Sequence, residues 1–431
     1  MLRALITPLF LASFFPPGPA NDNAIKDWPQ WRGPNRDAIC TETGLLKAWP
    51  KDGPKLLWSA KEVNGDANVG KGYASVVIAG GKIYTLGDRD GKGHVVCLDE
   101  KTGKVLWTTP FTEPWGDGGP RCTPTLDGNR VYGLSAHGDL VCVDAKNGQK
   151  IWDKKMQKDF KGRMMSGWSY SESPTIDGKK LIVTPGGKEA AMVALDKETG
   201  DVIWKCVLKQ DCGAGYASIV TAEVGGIRQY ITLMGSELGL VGVDAKTGKL
   251  LWNYKKVANG TANIPTPIVK GDLVFASTAY SRGACLLQLE PSGDGGINAK
   301  EVYWLGAEDL QNHHGGMVLV GDYVYGGHDH GQGFPFCLEL KTGKMVWGPI
   351  RKGSPGGGSA AVLYADGRLY FRYQNNTMAL IEATPEGYHL ESKFQLPKGT
   401  SSPGWQHPVI HDGKLYIRAN DDLFCYDIKQ K

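Results

Sequence analysis

The stretch CLDEKTGKVLW, residues 97–107, decides the fold because it recurs along the chain. Its copies are CVDAKNGQKIW (142–152), ALDKETGDVIW (194–204), GVDAKTGKLLW (242–252) and CLELKTGKMVW (337–347). Each copy reads as an apolar strand, a tight turn on glycine and a second strand that ends in tryptophan, which predicts a β-hairpin. Self-similarity at a fixed period is the mark of a repeat architecture, so the hairpin is one part of a repeating unit.

Weaker copies extend the series in both directions. QLEPSGDGGINAKEVYW ends at Trp304, LIEATPEGYHLESKF ends at Phe394, and KLLWSA carries Trp58. Successive strand ends lie 43 to 52 residues apart, and a second hairpin such as PTIDGKKLIV falls between them. Each unit therefore predicts four antiparallel strands, which is one blade of a β-propeller.

The units predict an all-β, eight-bladed propeller over residues 55–431. The last unit lacks an outer strand, whereas Lys55–Ala60 is a strand without a preceding hairpin. Pairing these two ends would close the ring and remove its free edges. Residues 21–54 form an N-terminal extension, and we expect its Trp28 and Trp31 to pack on the propeller.

The repeated tryptophans have a structural explanation. The turn glycine permits the tight turn, the Asp and Thr side chains bond its backbone, and the indole packs against the neighbouring blade. We expect this role for Trp58, Trp107, Trp152, Trp204, Trp252, Trp304 and Trp347. Four of the nine cysteines recur in one apolar position of the hairpin, so they are predicted to be buried small hydrophobes rather than disulfide partners.

The N-terminus and the composition predict where the protein works. Arg3, the apolar run Ala4–Phe15 and Ala20 make residues 1–20 a signal peptide, since the run is too short to span a bilayer. Cys40 lies too far downstream for a lipobox. We expect a periplasmic or secreted monomer without a membrane span. The net charge of +4 comes with no basic run, so nucleic-acid binding has no electrostatic footprint.

The loops between blades and the turns between the second and third strands share one face of a propeller, where long polar segments favour a binding site. Aligning the starts of the innermost strands places one set of side chains around the mouth of the central channel. The set is Tyr73, Arg121, Glu172, Tyr216, Asn263, His313, His314, Trp405 and His407. Convergent polar and aromatic groups in a concavity predict a small-ligand site, and a polar water-filled channel is the alternative.

Four histidines crowd the segment NHHGGMVLVGDYVYGGHDHGQG. His313 and His314 precede an inner strand, and His328 and His330 occupy the next turn of the same blade on the same face. Two imidazole pairs could complete a zinc or copper site. The spacing does not fix the distance between the loops, so imidazoles that bond loop carbonyls or orient a ligand are the alternative.

The pattern D-x-x-T-G-x-x-x-W, carried by Asp99, Gly103 and Trp107 and by the other copies, resembles the tryptophan-docking repeats of the pyrroloquinoline quinone (PQQ)-type propellers. That family includes quinoprotein alcohol dehydrogenases and BamB-type assembly lipoproteins. With WPQWRGPNRD near its start, the chain is similar to the exported PQQ-like repeat proteins of planctomycete-type bacteria. Fold alone does not fix function.

The resemblance to the dehydrogenases implies PQQ and calcium, with the cofactor stacked between a tryptophan and a disulfide of adjacent cysteines, and with an aspartate base. This sequence has no adjacent cysteines. Glu172 is its best carboxylate at the mouth, and no Glu/Asn/Asp calcium set can be carried over. The cofactor is therefore possible but unsupported by the sequence.

Three functional hypotheses follow. The first is a binding or scaffold module, without catalysis, that holds a protein, a carbohydrate or a small molecule at the loop face. The second is a PQQ- and calcium-dependent alcohol or sugar dehydrogenase. The third is a metal-dependent sugar hydrolase or lyase that uses the histidines. No G-x-S-x-G elbow and no phosphate-binding glycine motif occurs in the sequence.

Overall fold

The computed structural model describes residues 27–293 and 295–431, so the predicted signal peptide lies outside the described residues. The described chain forms eight four-stranded antiparallel blades, which confirms the predicted all-β propeller. Blades 1 to 7 follow chain order, and in each the first strand is innermost and the fourth outermost. The middle strands of each blade are buried on both faces, because neighbouring blades pack against them.

The strands of blades 1 to 4 are Val77–Ala79, Lys82–Arg89, Lys92–Asp99 and Val105–Thr112; Thr125–Asp127, Arg130–Leu134, Asp139–Asp144 and Lys150–Lys155; Thr175–Asp177, Lys180–Val183, Met192–Asp196 and Val202–Cys206; Val220–Val224, Ile227–Leu233, Leu240–Asp244 and Leu250–Tyr254. Those of blades 5 to 8 are Ile268–Lys270, Leu273–Thr278, Gly283–Pro291 and Ile297–Gly306; Met317–Val320, Tyr323–His328, Phe334–Glu339 and Met345–Trp347; Ala360–Ala365, Arg368–Tyr373, Thr377–Glu382 and Leu390–Gln395; Val409–His411, Lys414–Ala419, Asp422–Asp427 and Lys55–Ser59. A short strand Ile39–Cys40, two helices Ala60–Asn64 and Met156–Phe160, and a 3-10 turn Gly65–Ala67 complete the elements.

Blade 8 is built from both ends of the propeller sequence. Lys55–Ser59 pairs antiparallel with Asp422–Asp427, with Lys55 opposite Asp427 and Trp58 opposite Cys425. The outer strand of the last blade therefore comes from the N-terminal side of the first blade.

The docking of each tryptophan on the next blade explains why the repeat needs its turn glycine. A Cβ atom on Gly103 would lie 2.5 Å from the Trp58 ring, and one on Gly148 would lie 2.5 Å from the Trp107 ring. Both glycines have φ above +70°, where a side chain is strained. The same packing recurs for Trp152 on Gly200 and Trp204 on Gly248.

Blade 5 departs from the prediction, because Tyr303 and not Trp304 occupies the docking position. The one-residue bulge that stands directly before the docking tryptophan in other blades falls at Val302 here, so the next residue, Tyr303, takes the docking position. The Tyr303 ring packs on Gly343 of blade 6, and its hydroxyl donates to Leu340 O at 2.7 Å. Trp304 instead receives the Lys256 ammonium over its ring at 4.8 Å.

Trp252 is the second departure. Its indole N–H donates to Gln229 Oε1 of its own blade at 2.6 Å, whereas those of Trp152 and Trp204 donate to carbonyls of the next blade. Blade 5 has no K-T-G turn to receive the ring, since PSGDGG stands in its place. All nine cysteines are buried and free, which for Cys97, Cys142, Cys337 and Cys425 is what the repeated apolar position predicts.

Residues 27–40, which we call the plug segment, run through the central channel. Trp28 exchanges backbone hydrogen bonds with Ile78 of blade 1, and Ile39–Cys40 pairs in parallel with the inner strand of blade 7. Between them, the Arg36 guanidinium donates to Ser173 O of blade 3 at 2.9 Å. The segment thus contacts inner strands on several sides of the ring and closes the channel below its mouth.

Candidate functional site

A cavity of about 520 Å³ opens at the mouth of the channel, within the size range of small-molecule sites. Its walls come from the segments that lead into the inner strands, and its floor comes from Trp31 and Arg32 of the plug segment. The predicted mouth residues that line it are Tyr73, Arg121, Tyr216, His313, His314, Trp405 and His407. Sequence reasoning missed Arg32, Asp117, Trp168 and Tyr280, which also line it.

Two predicted mouth residues, Glu172 and Asn263, point away from the cavity. Ser171 and Ser173 line it, and because side chains alternate along an extended segment, Glu172 between them turns outward. Glu172 accepts a hydrogen bond from Thr184 N at 2.5 Å, and burial raises its pKa to about 7. Asn263 is fully buried and donates to Met234 O at 2.8 Å, which is a structural role.

Three of the four clustered histidines lie together, and the fourth, His328, lies apart. The rings of His313 and His314 lie 3.8 Å apart, and His330 lies 4.2 Å from His313. His328 is buried at the end of its strand, where its Nδ1 accepts from Gln311 N at 3.3 Å and its Nε2 faces Arg351. In the part of the chain that the structure describes, no group of three or more His, Cys, Asp or Glu side chains is placed to hold a metal ion.

The histidines that line the cavity are held neutral. Burial, and next the proximity of His330, lowers the pKa of His313 to about 3. Burial likewise lowers the pKa of His314 well below its usual range, and burial followed by the Arg32 charge lowers that of His407 to about 3. A neutral imidazole has one donor and one acceptor nitrogen, so these rings offer hydrogen bonds without charge.

His313 and Ser359 resemble a base and a nucleophile but lack the activating surroundings. His313 Nδ1 lies 3.0 Å from Ser359 Oγ, and His313 Nε2 lies 3.1 Å from the Tyr280 hydroxyl. A general base works best with a pKa near the working pH, and in a triad a carboxylate orients it. The low pKa of His313 and the tyrosine at its second nitrogen therefore indicate an orienting hydrogen-bond role.

Arg121 joins two loops at the rim. Its guanidinium donates to the Asp117 carboxylate at 2.8 Å and to Trp168 O at 3.2 Å, and it lies 5.6 Å from the centroid of the Tyr73 ring. Trp168, at the same rim, is 41% exposed. The charge of Arg121 is thus matched by Asp117, while Trp168 presents an apolar face to whatever enters.

The second arginine of the cavity, Arg32, sits at the floor and is only 4% exposed. Its Nη2 donates to Met317 O and to Asp37 O, the latter at 3.2 Å. Gly316 lies beside its Nη1, since a Cβ atom on that glycine would be 2.8 Å away. Trp31 packs edge-on against His407 at 4.4 Å and donates to Thr266 Oγ1 at 3.3 Å, which fixes the rest of the floor.

Comparison with solved structures shows the same fold. BamB from Moraxella catarrhalis is similar with a TM-score of 0.58 at 14% identity, over 84% of this chain and 98% of that one. Quinohemoprotein alcohol dehydrogenase from Comamonas testosteroni gives a TM-score of 0.61 at 15% identity, over 95% and 82%. A europium-containing methanol dehydrogenase gives 0.60 at 11% identity, over 91% and 89%.

No helix among the described residues is long and apolar enough to cross a membrane.

The sequence comparisons identify the family. The comparison with curated proteins gave no match. The sequence model of the outer membrane protein assembly factor BamB matches residues 42–132 and 91–348, which together cover more than half of the chain. The chain therefore belongs to the BamB family of PQQ-like β-propellers.

Proposed function

We propose that this protein is a binding module whose ligand site is the cavity at the channel mouth. The observation that carries the proposal is the closed floor: Trp31 and Arg32 turn an open channel into a blind pocket of about 520 Å³. A pocket of this size with aromatic walls and a few convergent polar groups suits a small molecule or the end of a larger one.

The chemistry of the lining supports binding more than catalysis. Among the described residues that line the cavity, Asp117 alone has a carboxylate, and it is paired with Arg121. Hydrolysis of a glycosidic bond ordinarily uses two carboxyl groups, and a histidine base needs a pKa near neutrality. The cavity offers instead fixed rings and uncharged imidazoles, which can hold and orient a ligand.

A titration of purified protein against a panel of compounds tests the proposal. The panel holds neutral sugars, sugar acids and aromatic acids, and isothermal titration calorimetry reports the affinity. Trp405→Ala removes a wall and should weaken the binding of any ligand at least tenfold, whereas Leu106→Ala, on the exposed outer strand of blade 1, should leave it unchanged. Binding that is indifferent to Trp405, or no binding across the panel, would contradict the proposal.

A PQQ- and calcium-dependent dehydrogenase is the second candidate, favoured by the fold shared with the alcohol and methanol dehydrogenases. The residues present do not fit the calcium ion, which takes six to eight oxygen ligands. Glu172 and Asn263 turn out of the cavity, and Asp117 is engaged by Arg121. Reduction of an artificial electron acceptor by protein supplied with PQQ, calcium and an alcohol would overturn our preference for a binding module.

We further propose that residues 1–20 direct export and are removed, and that the loop face also meets a protein partner. The mass of the intact protein from the exported fraction tests the first point, since cleavage after Ala20 would leave the whole plug segment in place. Chemical cross-linking in that fraction tests the second. A full-length mass there, or no specific cross-link from the loop face, would contradict these two proposals respectively.

A further inference from the structure

We infer that the ligand of the mouth cavity carries a carboxylate on a flat-faced ring, and that Arg32 of the plug segment binds this carboxylate. The inference rests on the proposed function, because it presumes that the cavity takes a small ligand. It goes further by naming the charge of that ligand and the residue that recognises it. Sugar acids and aromatic acids share this chemistry, so the experiment must separate them.

Arg32 carries a positive charge that no described side chain neutralises by an ion pair. The side chain is 4% exposed and makes no ion pair among the described residues, and its Nη2 donates to the carbonyls of Met317 and Asp37. Burial lowers the pKa of Arg32 to about 10. The Asp37 carboxylate raises this pKa by a smaller amount, because it lies beyond ion-pair distance. Burying a cation without a partner costs folding free energy. An anion that enters the cavity therefore binds Arg32 more strongly than it would bind an arginine on the solvent-exposed surface.

The Nη1 atom of Arg32 is a hydrogen-bond donor directed at the cavity. No acceptor among residues 27–293 and 295–431 is within hydrogen-bond reach of Arg32 Nη1, which lies beside Gly316 at the cavity wall. His407, its other neighbour, is an imidazole that burial keeps neutral, so it cannot balance the guanidinium charge. Nη1 is thus a charged donor that faces the cavity, and a carboxylate oxygen is the acceptor that such a donor binds most strongly.

The walls of the cavity carry aromatic rings on two sides. The rings of Tyr73 and Trp405 lie 5.0 Å apart, and Trp168 lies 6.3 Å from Tyr216 on another side. Such rings stack on the flat face of a sugar or an aromatic ring. Arg121, the other cation of the cavity, is already matched by Asp117, so a single acidic group on the ligand balances the remaining charge.

Matched pairs of acid and neutral ligand test the inference. Glucuronate is compared with glucose, and benzoate with benzyl alcohol, each titrated calorimetrically into the full-length mature protein. We expect the acid of at least one pair to bind tenfold or more tighter than its neutral partner, as a charge-assisted hydrogen bond requires. The pair that shows the larger preference identifies a sugar acid or an aromatic acid as the source.

Arg32→Gln should remove the preference, so that acid and neutral partner bind within about threefold of each other. Arg36→Gln is the matched control, because Arg36 is equally buried in the plug segment but does not line the cavity. If Arg32→Gln fails to fold, Arg32→Lys decides: it keeps the charge and should retain a weaker preference for the acid.

Three results would overturn the inference: equal affinity for acid and neutral partner in both pairs, an acid preference that survives in Arg32→Gln, or the same loss in Arg36→Gln as in Arg32→Gln. The absence of binding by all four compounds would also overturn it. The proposed function fails separately, only if the wider panel also shows no binding that depends on Trp405.

Discussion

At the scale of single residues, Gly316 is the position on which the floor of the cavity depends most closely. Its φ is +65°, and a Cβ atom there would meet Arg32 Nη1 at 2.8 Å. Gly316→Ala should therefore displace the Arg32 guanidinium and weaken acid binding about tenfold, with a loss of stability of about 1–2 kcal/mol from the backbone strain. Calorimetric titration and urea unfolding measure the two effects.

Gly321→Ala separates strain from displacement. Gly321 lies in the same blade with a φ of +61°, and nothing lies within 4 Å of its missing Cβ atom. It should lose similar stability and keep full ligand affinity. Equal affinity in Gly316→Ala and Gly321→Ala would show that the position of Arg32 does not matter for binding.

His407 gives a prediction for stability against pH. Burial lowers its pKa in the folded protein to about 3, below the ordinary 6.5, so the unfolded chain binds one more proton between these values. Stability contributed by His407 is then present above about pH 6.5 and is lost as the pH falls toward 3. His407→Gln should reduce the slope of unfolding free energy against pH by up to about 1.4 kcal/mol per pH unit.

Urea unfolding across the acid range measures this slope. His389→Gln, at an exposed outer position, serves as the control for the substitution itself. An unchanged slope in His407→Gln would mean that folding does not lower the pKa of this imidazole.

At the scale of elements, blade 5 tests which aromatic side chain holds neighbouring blades together. Tyr303 directly follows the bulged Val302, packs on Gly343 and donates to Leu340 O, whereas Trp304 lies one residue further along the strand. Tyr303→Ala should cost about 3 kcal/mol of unfolding free energy, as for other packed aromatic side chains, and Trp304→Ala should cost less. Thermal or urea unfolding compares them, and the reverse order would restore Trp304 to the docking position.

The same blade shows where a sequence pattern stops being informative. Five close copies of one hairpin specify the blades, because turn glycine and tryptophan keep a constant spacing. The residue Val302 between Glu301 and Tyr303 is bulged, and nothing in EVYW marks which of the two aromatic residues will face the next blade. Likewise, predicting that Glu172 turns outward requires knowing that the Ser171 side chain points into the cavity. An alignment of strand starts does not give the direction of any side chain.

At the scale of the whole molecule, the plug segment gives the central channel a floor and so turns its mouth into a closed-ended pocket. Eight blades could be predicted from the repeats, but the path of residues 27–40 depends on contacts with several blades that lie far apart in sequence. Arg32 could therefore not be assigned to the cavity from its sequence position. Trp168 and Tyr280 were missed for a similar reason, since they reach the cavity from connecting segments.

Trp31→Ala tests the closed floor. Trp31 packs against His407 and separates the cavity from a smaller void beside Trp28 and Val76. Removing the indole should weaken ligand binding about tenfold and leave the propeller folded, since the blades pair through their own strands. Gln30→Ala, on the same segment but outside the cavity lining, should bind normally; a similar loss there would point to general damage of the segment.

The central claim is that the mouth cavity, floored by the plug segment, is the ligand site. The most direct measurement is a crystal structure of the protein with the tightest-binding acid of the panel. We expect the ligand ring to stack on the aromatic wall formed by Tyr73 and Trp405, with the carboxylate on Arg32 Nη1. A ligand bound elsewhere on the propeller, or a carboxylate turned away from Arg32 toward solvent, would contradict it.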